Sequence, residues 1–388
     1  LLDAADEITI SAAIDPTTVT LNADDDITVT AAVVASELIT VSAGEDGSGS
    51  FILGAAGSLE TTDSGSDITV TTGSTSGDIT LTGTTTALDL VTMTTASGSI
   101  NGSGLVTSDT VDLNASSGIG NTTGITLSAS NISADTTVGD VEIANSLGTA
   151  VSVSSLTTGT GSVSFSQSGG GDVSTSSVSA SVAVALSNAA GSLSLAGTVI
   201  GDSLNATATG AITDGSDGDL AIAGLAEFTA DSLELGNDAG NATNFGTLTF
   251  NSTGSVTVSE DSSLDLFGTN TVGSASLVSV AGVSDALAVS VNVTGLLDVS
   301  GTSIALGSGA SVFNAGTLTF NSTGSVTVSE ASSLDLVGTN TAGSASLVSV
   351  AGVSDALAAS VNVTGLLDVS GTSIALGSGA SVFNAGTL

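Results

Sequence analysis

The side chains able to do acid–base or metal chemistry in this sequence are carboxylates alone: 38 Asp and Glu in 388 residues, with no Lys, Arg, His or Cys. Two runs gather them near turns, Asp24, Asp25 and Asp26 in NADDD and Asp214, Asp217 and Asp219 in DGSDGD. Clustered carboxyl oxygens suit a hard cation such as Ca2+. Neither run has the spacing of an EF-hand loop or a glycine-rich nonapeptide calcium array, and GEDGSGSFI from Gly44 echoes the latter only distantly. Solvated turn acids are the simpler reading, and no metal ligand or cofactor-binding residue is assigned. Polysaccharide lyases and hydrolases need a basic or imidazole side chain, or carboxylates set across a cleft. The first two are missing, and Asp265 in LDL and Asp298 in LDV alternate with apolar neighbours, which places them on outward, solvent-facing surfaces. No catalytic residue is assigned, and the chain reads as a non-enzyme.

A net charge of −38 leaves nothing to neutralise a phosphate, so nucleic acid and anionic membrane surfaces are excluded as electrostatic partners. Disorder is the first expectation for an acidic chain rich in Gly, Ser and Thr, but 40% of the residues are hydrophobic and regularly spaced. Zero cysteine excludes a disulfide framework and fits an exported bacterial protein. The opening LLDAADEITI has neither Met nor the basic and apolar regions of a signal peptide, and both ends read as cuts from a longer chain. No apolar run is long enough for a membrane helix, and a membrane barrel would need the Trp and Tyr girdles that are absent here. Direct membrane insertion is therefore not expected.

These acids are positioned by strands. Short runs of Val, Ile, Leu and Thr alternate with period two and end at Gly, Ser, Asn or Asp. EITIS at Glu7, DITVT at Asp26 and Asp67, and DITLT at Asp78 are variants of one unit. Their Thr residues resemble those of ice-binding solenoids, but the irregular starts predict no shared Thr face. Lectin activity lacks its usual Trp or Tyr platforms, and a functional amyloid is disfavoured by a single Gln and a long repeat.

Residues 246–315 recur at 316–385 with four differences, Asp261/Ala331, Phe267/Val337, Val272/Ala342 and Val289/Ala359, and GTL at Gly386 begins a third copy. Each copy divides into three lengths of about 21–25 residues with three strand-like runs, the size of one β-helix coil that must stack on its neighbours. Leu248, Phe250, Val256, Val258, Leu264 and Leu266 are expected inward, as are Leu287, Val289, Val291 and Val293. Seventy residues thus predict three added coils, with Asp265 and Asp335 in one column and Asp298 and Asp368 in another. We expect one continuous solenoid over 1–388, with degenerate coils in 1–245 and regular repeats in 246–388, forming a rod of about 80 Å at ~4.8 Å per coil.

TGLLDVSGTSIALGSGASVFNAGTLTFNSTGSVTVSE, GLAEFTADSLELGNDAGNATNFGTLTF and LVTSDTVDLNASSGIGNTTGITLSASNISADTTVGDVEIANS resemble the filamentous-haemagglutinin-like, giant β-strand-repeat surface proteins of Gram-negative bacteria. The resemblance spans most of the chain. It implies an all-β, right-handed parallel β-helix, export by a type V or related route, association with the bacterial outer membrane, and a role as adhesin or stalk. The sequence departs from that family in having no basic residue at all, so an anion- or heparin-binding activity is not carried over. The expected function is the structural shaft of a secreted or cell-surface protein. Its partner on a cell surface or matrix would be engaged by regions outside this stretch, and its coils would stack on one another. The alternative is a Ca2+-dependent adhesive module of the same surface protein.

Overall fold

The computed structural model describes residues 1–388, with strands and no helix. The strand pairings are parallel, each segment lying on the segment one coil earlier, and the result is a parallel β-solenoid fold. The alternation explains the choice. Along Asp67–Thr72 every second residue is buried and the residues between them are half-exposed, so one face joins the core and the other meets water. Pro16, unable to donate to a ladder, lies between strands. The chain divides into two compact units, Leu1–Asp202 and Ser203–Leu388.

The first unit begins with three strands per coil. One column stacks Leu2–Ala4, Thr18–Ala23, Leu38–Ala43, Asp67–Thr72 and Leu90–Thr95. A second stacks Ile8–Ile10, Ile27–Val29, Phe51–Leu53, Ile79–Leu81 and Ile100–Asn101. A third stacks Ala32–Ala35, Ser58–Thr61 and Thr84–Thr86. Ile8, Ile27, Phe51, Ile79 and Ile100 follow one another up the core, all buried, and each full burial contributes about 1.5–3 kcal/mol. The second and third columns merge in Val141–Asn145, where Val141 continues the line of Ile119 and Ile143 pairs with Ile125. From there the unit has two strands per coil.

The second unit keeps two main columns. Val256, Ala275, Leu297 and Leu318 are successive partners in one, and Leu264, Val283, Ile304 and Val326 in the other. The chain visits the columns alternately, so three full coils carry Val256 to Leu318 and half a coil more reaches Val326, the repeat's counterpart of Val256. Seventy residues are therefore three and a half coils, not three. Within the repeats the coils advance 18 to 22 residues, as in Leu248 to Leu266 and Ile304 to Val326, shorter than the expected length because several corners turn in two or three residues. Each copy is displayed half a turn from the other, and identical strands occupy opposite columns.

A third, short strand fills out the cross-section and changes flank with the repeat. Residues 220–222 stack under 243–245 on one flank. Thr269–Val272, 290–293 and 312–315 then stack on the other. Thr339–Ala342, 360–363 and 382–385 return to the first. Two crossovers result, at Glu260 and at Glu330.

One inward assignment fails. Val289, Val291 and Val293 are buried, but Leu287 is 78% exposed. Ala288 has φ +66°, and this left-handed residue breaks the alternation just after Leu287. Leu287 lies instead over the next coil's turn, where a side chain on Gly309 would come within 2.6 Å of it.

Candidate functional site

The sequence-selected acids are not brought together as a metal site. In the first unit Asp6, Glu7, Asp25 and Asp26 line a shallow groove with Ser48, Ser50 and Ser76. Asp26 accepts from the Ser50 amide at 2.7 Å, a turn contact. A hydrogen bond with Asp6, then desolvation and the nearby charges of Asp6, Asp46 and Asp26, raise the pKa of exposed Asp25. No group of three or more carboxylates has the geometry to hold a metal ion.

In DGSDGD the three acids part company. Asp217 and Asp219 are exposed, whereas Asp214 is 1% exposed and is not a solvated turn acid. Its Oδ2 accepts from the Gly236 amide at 2.6 Å, and burial pushes its pKa up against that bond. Asp219 accepts from the Ala242 amide at 2.9 Å.

Asp265 and Asp298 do point outward between buried neighbours, but they are half-buried rather than fully solvated. The Ser284 hydroxyl donates to Asp265, and burial raises the pKa of Asp298. The half-turn offset also corrects their columns. Asp265 is followed by Ser284, Ala305, Thr327 and Ser346 before Asp368, while Asp335 stands in the opposite column above Thr317.

The Thr motifs do not share a face. Thr9, Thr28 and Thr80 fall in one column, interrupted by Ile52. Thr69 falls in another, with Thr20, Thr40 and Thr92, which ends at Asp112.

The most chemically distinctive groups are ones the strand reading passed over. Four strands of the second unit end on a carboxylate in phase with the core, Val258-Ser-Glu260, Val283-Ser-Asp285, Val328-Ser-Glu330 and Val353-Ser-Asp355, and Asp214 follows the strand Ala211–Thr213 in the same phase. All five are buried. Alternation alone could have found them, because a carboxylate two residues after an inward Val or Ile is itself inward. Each accepts backbone N–H groups that the stack leaves over. Asp285 takes the Gly307 amide at 2.8 Å and the Ser308 hydroxyl at 3.0 Å. Asp355 repeats this with Gly377 at 2.9 Å and Ser378 at 2.9 Å. Burial works to raise Asp355, but the Gly377 and Ser378 bonds outweigh it and its pKa lies below the usual value.

Glu260 and Glu330 sit at the crossovers. Past Glu260 no strand covers 243–245, and the Phe245 amide would be orphaned. It donates to Glu260 Oε1 at 2.8 Å, which also accepts from the Ser262 hydroxyl at 2.9 Å. At the second crossover the Ala315 amide donates to Glu330 at 3.1 Å, joined by the Ser332 hydroxyl at 2.9 Å. On the opposite flank an Asn opens the new strand. Asn270 accepts from the Phe250 amide at 3.0 Å and donates to Phe267 O at 2.9 Å, and Asn340 does the same with Phe320 and Val337. Burial, the dominant cause, pushes both glutamates up to about 7. The first unit fills its inward strand ends with neutral groups instead, Asn145, Gln167 and Asn188 in register and buried.

No protein-family model, curated protein or solved structure matches this chain.

Proposed function

We propose that this chain is a structural shaft, a spacer segment of a secreted or cell-surface bacterial protein of the filamentous-haemagglutinin-like kind, and that it performs no catalysis. The observation that carries the reading is the repeat itself. Adding seventy residues adds three and a half coils and returns the same strands to the stack half a turn round, so length is gained while the two main columns continue unbroken. Repeat solenoids add stability coil by coil, which makes length freely adjustable. The buried acids support it too, since each is engaged with the chain's own amides rather than directed into a cleft. Any adhesive partner is met by regions outside this stretch.

The test is display. Chains carrying none, one and three extra copies of 246–315, each with an epitope at the far end, are expressed on a bacterial cell coated with polysaccharide. Antibody access should rise with copy number as the epitope clears the coat. Equal access at every length would contradict a spacer.

A further inference from the structure

The two crossovers share a chemistry that the shaft role does not require. A Gln at 260 or 330 would accept the same backbone amide, as Asn270 and Asn340 do on the opposite flank. The chain instead buries an ionisable group where one strand stack stops and the next begins. We propose that Glu260 and Glu330 are proton-operated latches: protonated, each packs dry against the strand end it caps, and ionised, it draws in water and releases that end.

The geometry supports this at each site. Glu260 Oε2 is buried with no hydrogen-bond partner, and the side chain is 1% exposed. Glu330, also 1% exposed, accepts from the Ala315 amide and from the hydroxyl and amide of Ser332. A carboxylate with unfilled acceptor sites and no cation is costly to bury. The charges bearing on them are all negative, Asp265 and Asp261 on Glu260 and Asp335 on Glu330. The strands over and beside Glu330, Val312–Ser322, Ser303–Leu306 and Ser344–Ser349, carry no charged residue, and the chain has no base to offset any of these acids.

The sign follows. Each glutamate's pKa in the closed crossover lies near 7, above its ordinary 4.5. The closed state therefore holds the proton more tightly than the open one. Its advantage is complete at low pH and is lost as pH rises from about 4.5 through about 7. The leaving proton passes to solvent.

The test uses the whole chain. Amide hydrogen exchange is followed at pH 5 and pH 8, corrected for the intrinsic rate, in peptides covering 243–262 and 312–332. Protection in both should fall on the order of tenfold to a hundredfold between the two pH values. In the E330Q variant the 312–332 response should vanish while the 243–262 response persists, and E260Q/E330Q should be flat in both. Carboxyl-carbon titration of the unaltered chain is read alongside, with two of its nine glutamates expected near 7. Unchanged protection in the parent chain, an undiminished response in E330Q, or nine glutamates all titrating near the ordinary value would each overturn the proposal.

Discussion

The inward carboxylates show how much one residue decides. Asp285 satisfies the Gly307 and Ser308 amides of the next coil. Asp285→Ala would leave both donors without this acceptor, the Gly307 amide fully buried, a loss of about 1–3 kcal/mol. Asp285→Asn keeps an acceptor oxygen and should lose less. Thermal melting of the two variants checks the order, and equal losses would mean the carboxylate is not the cap. The second copy offers the converse experiment. Val272 and Val289 are buried, and their counterparts Ala342 and Ala359 occupy the same kind of inward position with less volume. Ala359→Val should stabilise the chain by about 1 kcal/mol if the missing methyl groups left space; a loss would show that the second copy has closed around alanine. Such residues were legible in part. The phase of Val258 and Glu260 places the carboxylate inward from sequence alone, but that Phe245 needs it emerges only once the strand over 243–245 is seen to be absent.

At the scale of elements, the strands and their buried faces follow from alternation, and Val256, Val258, Leu264 and Leu266 lie where it puts them. Register does not follow, because corners vary in length. Leu21 to Val41 is one coil of 20 residues, and Val41 to Val70 is one of 29. A sequence repeat counted as whole coils hides the half-turn for the same reason: identical residues look as if they should stack, and only the pairings show that Val326 stacks on Ile304 and not in the column of Val256. The repeat nevertheless predicts a clean deletion. Removing 246–315 joins Phe245 to Gly316, which precedes a sequence identical to the one removed but for four residues. The Glu330 carboxylate should then cap the Phe245 amide as Glu260 does now. The deleted chain should melt cooperatively with its strand content reduced in proportion, as measured by circular dichroism. A broad, uncooperative transition would show that the two copies are not interchangeable.

For the whole molecule, the absence of any base makes its charge a matter of spacing. In the column of Asp265 the next acid, Asp368, is five coils on, roughly 24 Å at the strand spacing. Glu234 and Asp298 are three coils apart, about 14 Å. Both exceed the Debye length of about 8 Å at physiological salt and fall inside the roughly 30 Å of 0.01 M salt. Melting temperature should therefore rise with sodium chloride from low salt and level off. Calcium chloride at matched ionic strength should add little, since the inward acids are engaged with backbone amides. A large extra rise with calcium, lost on replacing Asp214, Asp217 and Asp219, would favour the adhesive-module reading instead.

The central claim is that the seventy-residue repeat adds length to a stack of constant cross-section. Small-angle X-ray scattering of chains with one, two and three additional copies of 246–315 measures it directly. The maximum dimension should grow by ~17 Å per copy, three and a half coils at the strand spacing, with an unchanged cross-sectional radius. A cross-section that thickens with copy number, or a dimension that grows as a flexible chain's would, contradicts it.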